Sequence, residues 1–515
     1  MYTPLMADAG SSRAKGSGAG GGRSVTIVGA GLAGSLLAIY LARQGMRVRV
    51  FERRPDPRAK GYAGGRSINL ALSVRGLWGL AGVGLDKVVM AQDAVAMRGR
   101  MLHPISPPPG GAALPFQAYS SNPHDAINSV SRGGLNLTLL NAAAAEPNVE
   151  LHFEQRCVDI DPDSGTAVFQ AEAIAAARGL SLAVSGPTTS VRSDLILGAD
   201  GAFSAVRQRL IKIDRFEYAQ SYLGHGYKEL HIPPAAGPGG VGGTRTPDGL
   251  ERERYLMEPH ALHIWPRGAS MMIALPNRDG SFTCTLFWPF VGEHSFANLR
   301  TDEEVREFFS SRYPDAVPLM PTLVEDYRRN PVSSLVTVRT WPWSHVSDSG
   351  HAAAVLGDAA HAIVPFYGQG MNCAFEDVRV LAELLARDPG DIRGVLGEFE
   401  RSRKPDAEAI ADMAIENFEE MRDKTARADF LYKKRVEQTV HEMFPDRATP
   451  QYNLVSFSTV PYARARALGR EFDRIVAQVV GSVPAPAGQI VDPMWRDRVR
   501  LAASEAFAAA DRAKE

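Results

Sequence analysis

Residues Arg23–Arg54 read RSVTIVGAGLAGSLLAIYLARQGMRVRVFERR. A short β-branched apolar run, Ser24–Val28, leads into Gly29, Gly31 and Gly34 in G-x-G-x-x-G spacing. A helical pattern follows to about Gln44, and a second strand, Val48–Phe51, ends on Glu52. In such a unit the first glycine permits the tight turn, the second lets backbone approach a pyrophosphate, and the third lets helix pack on strand. The helix N-terminus offers unpaired N–H groups and partial positive charge to the phosphates. An acid at the end of the second strand, here Glu52, accepts the ribose hydroxyls. Strand, glycines, helix, strand and acid stand in register, which predicts an adenine dinucleotide without deciding between NAD and FAD.

Around this unit lies a chain of 515 residues, long enough for two or three domains or one large composite. Hydrophobic content of 45% and charged content of 22% are ordinary for a globular protein. The net charge of −1 carries no basic footprint for nucleic acid. No apolar run reaches the ~18 residues of a membrane span. Residues 1–22, rich in Gly, Ser and Ala, lack the apolar core of a signal peptide and read as a disordered extension. Cys157, Cys284 and Cys373 lie far apart with no CxxC pair. A disulfide stays open on sequence alone, and a reduced, soluble cytoplasmic protein fits best. No metal-ligand spacing stands out.

Two later segments repeat the theme of an acid just past an apolar strand. Leu195–Leu197 runs into Gly198-Ala199-Asp200-Gly201, and Ala352–Leu356 ends on Gly357-Asp358. In an interrupted parallel sheet the strand carboxyl ends gather on one side, so remote segments can meet at one ligand. After Asp358 a Pro/Gly loop leads to a long amphipathic helix from about Met371, whose N-terminus suits an anionic ring. Between these segments Ala96–His103 alternates like a single strand. From Gly224 to Phe290 the period is mostly two, as in an antiparallel sheet. Thr301–Asp326 reads as helical, and so does most of Ile392–Arg470, with a break at Pro445–Pro450. A polar helix, Asp492–Lys514, is expected last.

The strings GAGLAG with Glu52, SVSR at 129–132, ILGADGAFSAVR at 196–207 and VLGDAAHAIVPFYGQGMNCAFED at 355–377 resemble the class A flavoprotein monooxygenases, which share the para-hydroxybenzoate hydroxylase fold. RSINLALS, MRGRM, HGYKEL, SFTCTLF and NFEEMR are similar to that family's kynurenine-hydroxylating members. The similarity runs from about Ser24 to about Arg470. It implies an α/β fold: a GxGxxG Rossmann-like FAD-binding domain interleaved with an antiparallel-sheet substrate domain, plus a helical C-terminal region. The expected flavin domain is discontinuous (about 23–95, 120–215 and 335–390). The substrate domain falls at about 96–119 and 216–334, and the helical region at 391–515, completing the substrate pocket.

The resemblance implies FAD held by Gly29, Gly31, Gly34, Glu52, Arg132, Asp200 and Asp358, with Gly370, Met371 and Asn372 at the pyrimidine end. It implies NADPH as a transient reductant, visiting without a second Rossmann unit. It implies a substrate carboxylate gripped by Arg100, Tyr119 and Tyr452, with Asn417 and Met421 facing the amino-acid end from one helix. The implied reaction is 3-hydroxylation of L-kynurenine with O2 through a C4a-hydroperoxyflavin. No protein residue is needed as catalytic base, because the substrate's ring amine activates the ortho carbon. His361, within GDAAHA, is expected to pack or hydrogen-bond near the flavin. The membrane anchor of eukaryotic members has no counterpart in the polar C-terminal segment. Three alternatives stay open: another aromatic amine or phenol as substrate, a flavin halogenase or reductase, and a flavin-binding protein without turnover. TWPWSH at Thr340–His345 matches a halogenase signature only in part.

Overall fold

The computed structural model describes residues 22–60, 69–106, 114–120, 122–177, 180–236, 249–423, 428–486 and 493–512. The expected N-terminal extension lies outside them, except for Gly22. A six-stranded sheet forms the first layer. Its order is Ser344–Val346, Ala352–Val355, Leu195–Gly198, Ser24–Val28, Arg47–Phe51, Val149–His152. All neighbours are parallel except the antiparallel Ser344–Val346 edge. The register pairs Val28 with Gly198 and Gly198 with Val355, so the three strand ends identified in the sequence finish side by side. Val25, Ile27, Leu195–Leu197 and Ala352–Val355 are essentially solvent-free, as strands covered on both faces must be. The helices Leu32–Arg43 and Gly370–Arg387 pack against each other beside this sheet.

The second layer is a seven-stranded sheet in the order Ser333–Trp341, Glu217–Ile232, Phe282–Pro289, Ser270–Pro276, Ala261–Arg267, Gly99–Leu102, Phe116–Ala118. It is antiparallel apart from one parallel pair, Ala261–Arg267 with Gly99–Leu102. A small sheet of Asn69–Leu72, Ile127–Ser131 and Ala94–Met97 bridges the two layers. Gln155–Asp161, Thr166–Ala177 and Leu180–Arg192 form a separate three-stranded antiparallel sheet.

Four expectations need correction. Ala96–His103 is two strands, not one: Ala94–Met97 pairs in the small sheet, and Gly99–Leu102 pairs in the large one. Alternation reports which way side chains face, not which strand they pair with, so a switch of partner at Arg98 leaves it unchanged. Ser333–Trp341 belongs to the large sheet, whereas the sequence boundary at 335 assigned all but its first two residues to the flavin domain. Thr301–Asp326 is two helices, Asp302–Arg312 and Leu323–Arg329. Pro318 and Pro321 lie between them and lack the N–H that a continuous helix needs. The sheet reading from Gly224 starts late, since that strand already begins at Glu217.

The C-terminal region is helical: Ile392–Asp423, Ala428–Met443, Gln451–Ser456, Tyr462–Ser482 and Pro493–Arg512. The last three long helices share a core around Val436, Val476, Trp495 and Val499. Among the described residues no helix is long and apolar enough to cross a membrane.

Candidate active site

A cavity of about 580 Å³ runs between the two sheets, lined at one end by the glycine motif and at the other by Arg100, Tyr119 and Tyr452. That is within the range of small-molecule and cofactor sites. The glycines divide the work as their spacing predicts. Gly29 sits at φ +102°, and a Cβ there would stand 2.6 Å from the Ala199 carbonyl oxygen. A Cβ on Gly34 would lie 1.9 Å from the Gly29 carbonyl oxygen, so helix and strand touch backbone to backbone. Gly31 differs: a Cβ there meets nothing within 4 Å among the described residues and would project into open cavity. Gly31 also caps the helix Leu32–Arg43 without any side-chain bond, leaving its first N–H groups for an anion. Glu52 lines the same end, its carboxylate accepting from Ala30 N at 2.9 Å and Arg54 N at 3.0 Å. Arg132 lines it from the first position of the helix Arg132–Ala144.

Asp200 and Asp358 both reach the cavity wall. Asp200 Oδ2 accepts from Ala205 N at 2.6 Å, which caps the next helix. Its other oxygen, Oδ1, is buried with no partner among the described residues. Burial raises the Asp200 pKa, against the pull of its hydrogen bonds. An orphaned acceptor of this kind asks for a donor from a ligand. Asp358 opens the short helix Asp358–His361 and remains exposed to the cavity. Gly370 and Met371 begin the helix Gly370–Arg387 on the cavity wall, and no side chain caps that N-terminus. The donor set fits a dinucleotide flavin: free helix N-termini for phosphates, carboxylates for sugar hydroxyls, and an uncrowded Gly31.

Asn372, next on this helix, turns its side chain into the protein. Its carboxamide accepts from Ser73 N at 2.9 Å and donates to the Ala71 and Gly368 carbonyls at 2.8 and 2.9 Å. Three of the four bonds open to that side chain are used within the protein, so it clamps the cavity-lining strand Asn69–Leu72. His361 bonds Asp377 at 2.5 Å inside a buried cluster with Arg403. Burial pushes the Asp377 pKa up, but His361 and Arg403 outweigh it and hold it low. Ligand atoms of His361, Cys373 and Asp377 lie within 4.8 Å of one another, yet Asp377 is already shared between His361 and Arg403.

At the other end Arg100 comes from the strand Gly99–Leu102, Tyr119 from the turn after Phe116–Ala118, and Tyr452 from the helix Gln451–Ser456. The guanidinium carbon lies 4.6 Å from the Tyr452 ring centre and 5.5 Å from that of Tyr119. The two tyrosine rings stack at 5.5 Å. Arg100 Nε and the Tyr119 hydroxyl are buried with no hydrogen-bond partner among the described residues. Burial opposes the Arg100 charge, but the facing Tyr452 and Tyr119 oxygens outweigh it and raise its pKa. Burial also lifts the Tyr119 pKa well above its ordinary value. A guanidinium with its Nε–H unsatisfied and a phenol O–H likewise unsatisfied match a carboxylate.

Asn417 does not line the cavity. It donates to the Phe366 carbonyl at 2.7 Å, and so supports a residue that does. Met421 falls in the helix Ile392–Asp423, and its side chain lies outside the described residues. Sequence reading missed the aromatic wall of Phe287, Phe366 and Tyr367. Tyr367 stacks on Tyr452 at 5.6 Å, and Phe287 meets Phe366 at 4.9 Å. The signal for two of them was present in the string VPFYGQG, where the glycines drew the attention.

The FAD binding domain family matches residues 23–224 and 350–414, the segments that build the dinucleotide end. Among solved structures, a tetrameric form of 2-methyl-3-hydroxypyridine-5-carboxylic acid oxygenase superposes with a TM-score of 0.58. It is 20% identical and is covered over 80% of this chain and 96% of its own, a likeness of fold. The chain is thus a flavoprotein with the architecture of the FAD-dependent aromatic monooxygenases. A kynurenine 3-monooxygenase of Myxococcus xanthus is 47% identical over 461 residues, 90% of this chain and 91% of the relative. One from Dictyostelium discoideum is 42% identical over 470 residues, 89% and 93% of the two chains. The chain belongs to the kynurenine 3-monooxygenase family.

Proposed function

We propose that this protein hydroxylates L-kynurenine at ring position 3, using FAD as cofactor and NADPH and O2 as co-substrates. The observation that carries the reading is the pairing of Arg100 with Tyr119 and Tyr452 in the cavity that the glycine motif opens onto, with two buried donors left unpartnered among the described residues. Gly29, Gly31, Gly34, Glu52, Arg132, Asp200, Asp358, Gly370 and Met371 would hold FAD, which when bound supplies electron transfer and oxygen activation. Arg100 binds the α-carboxylate in a fork, and the two phenols complete its acceptor capacity. The apolar wall of Phe287, Phe366 and Tyr367 keeps water from the reacting ring and orients it. No residue is assigned to deprotonate the substrate, because its ring amine already enriches the carbon to be hydroxylated. Three free, buried cysteines support a reducing, cytoplasmic setting.

The test is NADPH consumption by the purified holoprotein with and without L-kynurenine, with the product identified by mass. Slow oxidation that accelerates on adding L-kynurenine, with one oxygen atom gained, is the expected result. Kynuramine, which lacks the carboxylate, should accelerate it little. Equal acceleration by kynuramine would detach Arg100 from substrate recognition, and rapid oxidation without any aromatic ligand would count against a monooxygenase.

A further inference from the structure

Arg75 is fully buried in the first turn of the helix Val74–Ala81, directly after the strand Asn69–Leu72 that lines the cavity. It is not itself on the cavity wall. Its guanidinium is divided three ways. Nε donates to the Val455 carbonyl at 3.1 Å, and Nη2 donates to the Val460 carbonyl. Nη1 donates to Glu376 Oε1 at 3.2 Å. The plane lies 3.9 Å from the centre of the Tyr462 ring. Glu376 belongs to the helix Gly370–Arg387, whose N-terminus faces the flavin end of the cavity. Arg403 grips the same Glu376 at 3.1 Å and Asp377 at 2.8 Å, so the carboxylate Arg75 uses is itself fixed.

Val455 and Val460 bracket the end of the helix Gln451–Ser456, and Val455 lies three residues after Tyr452. A helix of six residues has no stability of its own. Its orientation, and with it the Tyr452 ring, depends on what holds its carbonyl end. The bond from Arg75 supplies a hold there, through a planar fork that one lysine ammonium cannot reproduce at three sites.

We propose that Arg75 is a positioning residue for the substrate grip: it fixes Tyr452 against Arg100 by tying the helix Gln451–Ser456 to the flavin-side helix through Glu376. The inference rests on the assignment of Tyr452 to substrate binding. It reaches beyond that assignment in joining the flavin-side helix to the carboxylate-binding tyrosine through one buried side chain.

The experiment is a double-mutant cycle of Arg75→Lys and Tyr452→Phe in the FAD-loaded protein. L-kynurenine affinity is read from the perturbation of the flavin spectrum, and KM and kcat from NADPH consumption. Arg75→Lys should raise Kd and KM on the order of tenfold, the ceiling being loss of the Tyr452 hydroxyl. The kcat at saturating substrate and the FAD content should stay within about twofold, the spread expected of an uncoupled site. In the Tyr452→Phe background the same lysine should cost less than about a further twofold, because there is no hydroxyl left to misplace. A full tenfold loss in both backgrounds, a loss confined to kcat, or an unchanged KM would each overturn the proposal. If Arg75→Lys does not yield folded holoprotein, Glu376→Gln, which loosens Arg75 without removing it, takes its place in the cycle under the same criteria. Wild-type protein that does not take L-kynurenine would sink the functional reading itself. Wild-type binding with additive mutants would sink only the role of Arg75.

Discussion

The two ends of the cavity are built by different means. The dinucleotide end is largely backbone: a glycine with room above it, two uncapped helix N-termini, and carboxylates at strand ends. The carboxylate end is side chain: one guanidinium and two phenols from three segments, separated by up to 352 residues between Arg100 and Tyr452. A backbone site tolerates exchange of side chains around it but not the addition of one where none fits. A side-chain site behaves the other way, losing function when an atom is removed. That contrast can be broken by mutation.

The largest effect is expected at the backbone end. Gly31→Val places a branched side chain in the open space above the helix N-terminus. The purified variant should lack visible flavin absorbance altogether, and full flavin content would show that this end is not the FAD site. Next comes Arg100→Ala. Removing one partner of a buried ion pair costs on the order of 3–5 kcal/mol, which is a few hundredfold or more in L-kynurenine affinity. Flavin content should be unaffected. A variant that sheds FAD would show that the two ends are one structural unit. Tyr119→Phe and Tyr452→Phe remove one hydrogen bond each to a charged group, about 1.5–3 kcal/mol, or roughly ten- to hundredfold in Kd by titration.

The last effect is on stability rather than on binding itself, and it concerns acid. Behind Arg100, Leu262 pairs with it across the sheet, and the next residue, His263, is bonded to His103 at 2.9 Å. Burial, with help from His103, pushes the His263 pKa down to about 4. The native histidine is therefore neutral, while in the unfolded chain it takes up a proton near 6.5. The unfolded state binds more protons in that interval, so stability is full above about pH 6.5 and falls as pH drops towards 4. The slope from this residue is at most about 1.4 kcal/mol per pH unit. Asp315 and Glu258, which also face this pair, have lowered pKa values and add their loss only at the acid end. Denaturant unfolding between pH 7.5 and 4.5 should show the slope, and His263→Gln should flatten it. L-kynurenine affinity should fall before FAD is released, since the carboxylate end lies nearer. FAD leaving first would invert the comparison.

The same contrast governs what could be read without coordinates. The glycine motif and the two strand-end acids announce themselves because each is contiguous and its chemistry is that of the backbone. Arg100, Tyr119 and Tyr452 carry no such local mark. Only the resemblance to a family brought them together, and the geometry then supplied the distances. Asn372 and Asn417 show the limit: each stands in a motif, but each carboxamide bonds backbone carbonyls rather than facing the cavity. Which way a side chain turns is decided by neighbours remote in sequence, such as Ser73 for Asn372 and Phe366 for Asn417. The exchange of sheets at Arg98 was hidden for the same reason.

The order of strands in the parallel sheet also dictates a timetable during synthesis. Ser24–Val28 and Arg47–Phe51 can pair almost at once, but the other flank of the first strand waits for Leu195–Gly198, which in turn waits for Ala352–Val355. At ~5–20 residues per second the ribosome needs roughly 15–65 s to travel from Val28 to Val355. Until Leu195–Gly198 emerges the nascent chain displays its pyrophosphate loop beside an open sheet edge, and from then until Ala352–Val355 emerges the open edge is that of Leu195–Gly198. Cofactor capture is therefore a late event in the life of each molecule, and a translational pause between residues 200 and 350 would prolong the period in which chaperones, rather than flavin, must shelter that edge.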